Sequence, residues 1–171
     1  MAASYIRAMF DFTIAAGSDK AELYRELGAA IDALTAGEPD PIANMANAAA
    51  AIWHTLPDLN WAGFYRTQGE TLVLGPFQGK AACIRIPFGQ GVCGTAAATG
   101  AIQRIDDVHA FPGHIACDAA SASELVVPIT RDGRVIAVLD LDSPLPGRFD
   151  SDDAAGCAAL AAILAGRIGE I

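Results

Sequence analysis

The chain has 171 residues, of which 53% are hydrophobic, and this apolar content is enough for a folded core rather than a disordered segment. Its formal net charge is −9 and no Lys or Arg cluster is present, which argues against a nucleic-acid-binding surface. No stretch reaches the length of a membrane span and the N-terminus lacks a signal-peptide pattern, so we expect a soluble cytoplasmic protein.

Two helices are predicted at the start of the chain, within residues 1–56. Asp19 can cap the first helix, because side-chain oxygens of Asp accept hydrogen bonds from the first free N–H groups. The apolar residues of this helix recur at helical spacing: Leu23, Leu27, Ala30, Ile31 and Leu34. The second helix is predicted from Pro41, a favourable first-turn residue, to His54.

Strand patterns dominate from residue 57 onward. The predicted strands are residues 61–66, 71–77, 83–88, 102–105, 124–130 and 134–142, with a short helix of small residues at 91–99. The last two strands form a hairpin around the sequence RDG at 131–133. A final helix begins near Ser151, where Asp152 and Asp153 suit its positive end.

Consecutive strands joined by short turns predict an antiparallel sheet flanked by helices from both termini, which is the α+β class. Residues 134–141 are apolar on both faces, as expected for a central, covered strand. The length favours a single domain over residues 1–171, with N-terminal helices in 1–56 and the sheet core and C-terminal helix in 57–171.

The chain contains four cysteines, Cys83, Cys93, Cys117 and Cys157, and none forms a C-x-x-C pair. A zinc ribbon or a thioredoxin-type motif is therefore absent. In a reducing compartment such thiols are either buried and inert or reactive. Cys157 lies in an alanine-rich helical pattern and is predicted to be a small core residue.

The sequence GQGVCG at 89–94 matches the pattern G-x-G-x-x-G. A dinucleotide-binding fold would need a βαβ unit, whereas the helix here is short and its neighbouring strands look antiparallel. We interpret the segment as a loop that enters a helix N-terminus. The helix dipole there would favour the thiolate of Cys93.

The segment GHIACDAASASE at 113–124 places a cysteine three residues after a histidine. His109, His114 and Cys117 suggest a metal site, but no fourth ligand stands at a familiar spacing, so no metal is predicted. A Cys-His protease dyad is a formal alternative, but the sequence shows no sign of a peptide-binding cleft. His114 is either a surface histidine or a group that tunes Cys117.

Asp140 and Asp142 are two residues apart on a predicted strand and share one face, together with Ile136 and Val138. A two-residue hairpin turn would point Glu124 away from the aspartates, whereas a three-residue turn would place it opposite Asp140. Three carboxyls in one pocket would raise at least one pKa and keep an acid protonated near neutral pH. The alternative is that these acids solvate a strand end.

Trp61 and Tyr65 share a strand face, with Gly63 between them. An aromatic wall with no side chain in its middle suits a small ligand that has an apolar or cationic part. The alternative is an ordinary contribution to the core.

Five segments together resemble the free methionine-(R)-sulfoxide reductases, which are single GAF domains. They are NWAGFY (60–65), LVLGPFQGKAAC (72–83), RIPFGQGVCGTAAATG (85–100), QRIDDVHAFPGHIACDAASASELVVPI (103–129) and VLDLDSP (138–144). The resemblance covers about residues 60–153 nearly without gaps, and a regulatory GAF domain lacks the cysteine-bearing motifs. Phe88 after Pro87 departs from the family pattern, and Cys157 has no family counterpart.

The resemblance implies a GAF-like antiparallel sheet of about six strands and a role for each matching residue. Cys117 corresponds to the catalytic cysteine, and Cys93 and Cys83 correspond to the cysteines that resolve its sulfenic acid. The residues that correspond to the substrate pocket are Trp61, Tyr65, Glu124, Asp140 and Asp142.

The implied function is reduction of free L-methionine-(R)-sulfoxide through a sulfenic acid and an intramolecular disulfide. No bound cofactor is implied, and a thioredoxin-like protein would serve as electron donor. A homodimer is compatible with a lone GAF domain, and neither nucleic acid nor membrane is an expected partner. The alternative function is a non-catalytic GAF module that senses a small molecule or an oxidant.

Overall fold

The computed structural model describes residues 19–113 and 119–169. Its helices are α1 (Lys20–Thr35), α2 (Pro41–Thr55), α3 (Gly91–Thr99) and α4 (Ser151–Ala165), with a 3₁₀ helix at Val108–Ala110. Its strands are β1 (Trp61–Gln68), β2 (Thr71–Gly79), β3 (Arg85–Pro87), β4 (Gln103–Ile105), β5 (Ser123–Arg131) and β6 (Arg134–Ser143). In these described ranges, no helix is both long and apolar enough to cross a membrane.

Three aspartates set the starts of the long helices. Asp19, Asp40 and Asp150 each accept hydrogen bonds from backbone N–H groups of the first turn of α1, α2 and α4. These bonds satisfy donors that have no partner within the helix. The predicted starts of these three helices are therefore confirmed. The predicted short helix over residues 91–99 is confirmed as α3.

The six strands form one antiparallel sheet in the order β3-β2-β1-β6-β5-β4. The α+β class with a six-stranded antiparallel sheet is thus confirmed. β6 lies between β1 and β5 and is the central, covered strand that its sequence predicts. The predicted strand over 83–88 is too long, because β3 pairs only with Thr71, Leu72 and Val73 and leaves Cys83 in the preceding loop.

The sheet separates two hydrophobic layers. One face packs against α2 and α4, which α1 packs against in turn, and receives Leu139 and Leu141 from β6. The opposite face packs against α3 and receives Val138 from the same strand. Because side chains alternate along a strand, Asp140 and Asp142 lie on the α3 side of the sheet.

The β5–β6 hairpin combines a two-residue turn with a β-bulge. Asp132 and Gly133 form the turn with positive φ angles of 51° and 75°, as two-residue hairpins favour. The register shifts between Ile129 and Thr130, which leaves Ile136 as an extra residue in β6. Glu124 consequently pairs with Asp142.

The sequence left a two-residue and a three-residue turn open, and neither alternative gives the observed register. The turn does not have three residues, and Glu124 does not stand opposite Asp140. Ile136 packs against the helix-covered layer rather than sharing the face of Val138. The placement of Glu124 on the same face as the aspartates is nevertheless confirmed, because the bulge shifts the register by one residue.

Asp153 joins α1 to α4 through a buried network of hydrogen bonds. Its carboxylate is almost fully buried and accepts from Lys20 Nζ at 2.7 Å, Tyr24 Oη at 2.9 Å and Arg148 Nη1 at 3.1 Å. Removing one partner of a buried charged network leaves the others desolvated without compensation.

We expect Asp153→Ala to lower the free energy of unfolding by about 3 kcal/mol, because Arg148 and Tyr24 lose their buried acceptor. Urea-induced unfolding followed by circular dichroism measures this change. Asp152→Ala is the matched control, since Asp152 is exposed in the same helical turn. Equal losses in the two variants would show that the buried network contributes nothing specific.

Candidate functional site

A cavity opens on the α3 side of the sheet, where β1, β5 and β6 lie side by side. The space not filled by atoms in and around it is about 430 Å³ with the open solvent at its mouth included, and the part that the centre of a water-sized sphere can occupy is about 20 Å³. Six residues that the sequence singles out line it: Trp61, Tyr65, Cys93, Glu124, Asp140 and Asp142. The fold thus brings together positions that are up to 81 residues apart, from Trp61 to Asp142.

A third ring, Phe77, supports the aromatic wall of this cavity without lining it. Trp61 stacks on Tyr65 with ring centroids 5.8 Å apart, and on Phe77 with centroids 5.2 Å apart. A Cβ atom at Gly63 would lie 2.3 Å from Phe77 Cβ, so only glycine allows β1 and β2 to approach here. Sequence reasoning missed Phe77, although its position opposite Gly63 follows once β1 and β2 are paired in register.

The carboxyl groups meet at the floor of the cavity. Glu124 and Asp140 are each 6% exposed, and Asp142 pairs with Glu124 across the β5–β6 ladder. One carboxylate oxygen from each of Glu124 and Asp140 lies within 4.8 Å of the other and of Cys93 Sγ. The predicted convergence of these acids is therefore observed, with a thiol in contact that sequence spacing could not reveal.

Burial and mutual repulsion shift the titration of these acids upward. Burial raises the pKa of Asp140 to about 7, although its hydrogen bonds with Cys93 and Glu124 act in the opposite direction. Burial, followed by the charges of Asp140 and Asp142, raises the pKa of Glu124 well above its ordinary value. A hydrogen bond between two carboxyls requires that one of them carries a proton. Both upward shifts favour a protonated carboxylic acid in the site near neutral pH.

Cys93 lies in the first turn of α3, as predicted, but its electrostatic environment differs from the expectation. Its Sγ lies 3.9 Å from Glu124 Oε1, and the side chain is almost completely buried. Burial raises the pKa of the Cys93 thiol well above its ordinary value, and the charges of Asp140 and Glu124 raise it further. The expectation that the helix dipole favours a thiolate here is wrong, because desolvation and the carboxylates outweigh the dipole.

The other cysteines and histidines occupy different surroundings. Cys83 is half-buried and packs against the edge of the same hydrophobic layer, next to Ala82, which lines the cavity. Cys157 is fully buried in the opposite layer, as predicted for a core residue. His109 is exposed on the 3₁₀ helix. His114 and Cys117 lie outside the described residues.

Polar contacts tie the cavity wall to the loops around it. The indole N–H of Trp61 donates to the carbonyl oxygen of Lys80 at 3.1 Å, in the loop that leads to Cys83. Asn60 Nδ2 donates to Ser121 Oγ at 3.0 Å, and Ser121 lines the cavity. No spacing in the sequence indicates these contacts, because they join segments that only the sheet brings together.

The fold and the site agree with comparisons to known proteins. A GAF-domain family model matches residues 42–168. The free methionine-R-sulfoxide reductase of Escherichia coli strain K12 is 53% identical over 146 residues, which cover 85% of this chain and 88% of that protein. The free methionine-R-sulfoxide reductase of Saccharomyces cerevisiae is 48% identical over 132 residues, covering 72% of this chain and 73% of that protein.

A solved structure extends the similarity to three dimensions. The X-ray structure of free methionine-R-sulfoxide reductase from Neisseria meningitidis in complex with its substrate has a TM-score of 0.86 and 48% sequence identity. The match covers 90% of this chain and 92% of that chain. The chain therefore belongs to the GAF-domain family and, within it, to the family of free methionine-R-sulfoxide reductases, as its motifs predict.

We expect the stability of the protein to depend on pH through Asp140. Its pKa is raised from 3.8 to about 7, so the native state binds this proton more tightly than the unfolded state. The resulting stabilisation is fully present below the unfolded-state pKa and is lost as the pH rises through the folded-state pKa. Asp140→Asn removes this dependence, so its stability relative to wild type should grow by about 2–4 kcal/mol between about pH 4 and about pH 8.

Urea-induced unfolding at a series of pH values measures this difference. Glu70→Gln, in the exposed turn between β1 and β2, is the matched control and should differ from wild type by a small constant amount. A pH-independent difference between Asp140→Asn and wild type would show that the Asp140 carboxyl titrates normally.

Proposed function

We propose that this protein reduces free methionine-R-sulfoxide to methionine with a cysteine thiol. The observation that carries the proposal is the buried pair Glu124 and Asp140, which provides a protonated carboxylic acid beside an aromatic wall. Family membership supports the same reaction, because the relatives from E. coli and S. cerevisiae are free methionine-R-sulfoxide reductases.

The cavity suits a small zwitterion with a polar S=O group and a methyl group. No Lys or Arg occurs among the described residues that line it, whereas three carboxyls do. The negative potential of these carboxyls favours binding of the ammonium group of a free amino acid. Asp140 Oδ1 is buried and has no hydrogen-bond partner among the described residues, so it offers an acceptor to that ammonium. Trp61 and Tyr65 provide the apolar surface for the methyl sulfoxide end.

The resemblance to the reductase family makes Cys117 the nucleophile of the proposed reaction. Its sulfur attacks the sulfoxide sulfur, the S=O oxygen is transferred to Cys117, and methionine leaves, so that the thiol becomes a sulfenic acid. The oxygen must gain a proton during this step, and Glu124 is the donor, because burial and two neighbouring acids keep it protonated. Donation by a positioned acid typically accelerates a reaction by about 100-fold to 10,000-fold.

Cys83 is the better candidate for resolving the sulfenic acid. Its sulfur attacks the sulfenic sulfur of Cys117, a disulfide forms, and the oxygen leaves as water. Cys93 is almost completely buried against Glu124 and its pKa is raised, so it supplies little thiolate, whereas Cys83 is only half-buried. A thioredoxin-like dithiol in the cytoplasm would then reduce the disulfide and restore both thiols. A homodimer is compatible with this scheme, because all its groups belong to one chain.

Single-cysteine variants test the proposed roles of the thiols. We expect Cys117→Ser to lose methionine formation. Cys83→Ser should still form about one methionine per protein in a single turnover but lose turnover sustained by thioredoxin, thioredoxin reductase and NADPH. Cys157→Ser is the control and should behave as wild type, because Cys157 lies in the opposite hydrophobic layer. Full turnover by Cys117→Ser would contradict the nucleophile assignment.

The same assay separates a reductase from a sensing module. NADPH consumption that depends on the free amino acid sulfoxide supports the reductase. Oxidation of the thiols by peroxide alone, without sulfoxide-dependent NADPH consumption, would instead support a redox-sensing GAF domain.

Glu124→Gln tests the proton donor. We expect the single-turnover rate of methionine formation to fall by about 100-fold or more, because an amide cannot supply the proton. In wild type this rate should decrease as the pH rises through the raised pKa of the carboxyl cluster. In Glu124→Gln the rate should not show this decrease. Stopped-flow mixing with quantification of methionine measures both effects, with Glu70→Gln as control. An unchanged rate in Glu124→Gln would place the donor elsewhere.

A further inference from the structure

A second cavity lies at the other end of β1 from the acid cluster. Its walls are the end of β1, the start of β6 and the coil that follows α4, and the centre of a water-sized sphere can occupy about 440 Å³ of it. This volume falls within the range of small-molecule sites in proteins. Arg66 in its wall is about 17 Å along β1 from Trp61 and on the other face of the strand, so the two cavities are separate.

Two arginines line this second cavity without a carboxylate partner. Arg66 and Arg134 form no ion pair with a described residue, and no Asp or Glu occurs among the described residues that line the cavity. Glu70 and Asp132 lie in the adjoining turns and are exposed outside it. Arg66 Nε is buried and has no hydrogen-bond partner in the described part of the chain. A buried donor of this kind is costly unless a ligand or water accepts from it.

The coil that closes the cavity is held in place. Arg131 Nη1 donates to the carbonyl oxygen of Ile168 at 3.3 Å, and the N–H of Ile168 donates to the carbonyl oxygen of Leu164 at 2.9 Å. The side chain of Ile168 is 1% exposed and belongs to the helix-covered hydrophobic layer. Ile136 packs against the same layer, so the cavity has an apolar wall beside its two arginines.

We infer that this cavity binds a small phosphate monoester that has an apolar organic part. Such a phosphate carries about −1.5 to −2 charges at neutral pH, so it neutralises both arginines, whereas a monocarboxylate neutralises only one. Guanidinium groups donate paired hydrogen bonds to phosphate oxygens, and Arg66 Nε is a donor without a partner among the described residues. The apolar part of the ligand rests on Ile136 and Ile168. This binding is independent of the proposed reaction, because the two cavities share no described lining residue.

Isothermal titration calorimetry with phenyl phosphate tests the inference. We expect saturable binding of one phenyl phosphate per chain, which weakens as the salt concentration rises. Benzoate has the same ring but a single charge, and it should bind about tenfold more weakly or worse, because one charged hydrogen-bonded pair is lost. Benzyl alcohol, which has the ring and no charge, should show no saturable binding.

Arginine variants locate the binding. Arg66→Gln and Arg134→Gln should each weaken the binding of phenyl phosphate by about tenfold or more, since each removes a charged donor. Arg104→Gln is the matched control and should bind as wild type, because Arg104 is exposed on β4 at the edge of the sheet. Arg134 is exposed, so Arg134→Gln remains informative even if Arg66→Gln folds poorly.

Three outcomes would overturn the inference. The first is an absence of saturable phenyl phosphate binding to the wild-type protein at millimolar concentrations, or unchanged binding in both arginine variants. The second is binding of benzoate as tight as that of phenyl phosphate, which would exclude the assignment of a dianion. The third is binding that appears only in Glu170→Gln, since Glu170 follows Gly169 directly in the sequence and would then neutralise the arginines itself. These titrations require no methionine formation, so they succeed or fail independently of the proposed reaction.

Discussion

A single extra residue in β6, Ile136, determines the chemistry of the cavity. The two-residue turn at Asp132 and Gly133 alone would place Glu124 opposite Leu141, within the apolar layer under the helices. A buried carboxyl among aliphatic side chains would be strongly destabilising. The bulge shifts the register by one residue and turns Glu124 toward Asp140 and Asp142 on the opposite face. The acid cluster and the helix-packed core thus depend on the same backbone irregularity.

The acids concentrated in the buried cavity give Cys93 an environment different from that of Cys83. The cavity raises the pKa of Asp140, Glu124 and Cys93 for a common reason, namely the removal of charge from water with no cation among the described lining residues. A protonated acid suits proton donation to the departing oxygen, but the same environment suppresses the thiolate of Cys93. The proposed scheme therefore assigns nucleophilic attack and resolution to cysteines on other segments, of which Cys83 is half-buried.

The sequence predicts most of the fold because its signals are local. The caps at Asp19, Asp40 and Asp150, the helical periodicity of α1 and the apolar run of β6 each depend on neighbouring residues. The alternation along β1 and β6 likewise assigns Trp61, Tyr65, Asp140 and Asp142 to one face. The bulge at Ile136 has no such local signal, because its position follows from packing on both faces of the sheet. The contact between Cys93 and Glu124 also depends on how α3 lies across the sheet, so electrostatics inferred from the helix alone had the wrong sign.

Two glycines allow close contacts between β1, β2 and the chain that leaves β2 beside the cavity. Gly63 lets Phe77 stack against Trp61, and Gly79 lets the outgoing chain pass over the same indole. A Cβ atom at Gly63 would lie 2.3 Å from Phe77 Cβ, and one at Gly79 would lie 2.9 Å from Trp61 Cδ1, so a larger residue at either position would displace these rings. The indole of Trp61 stacks on Phe77 and donates to the carbonyl oxygen of Lys80 at 3.1 Å, so the cavity wall and the loop that leads to Cys83 pack as one unit.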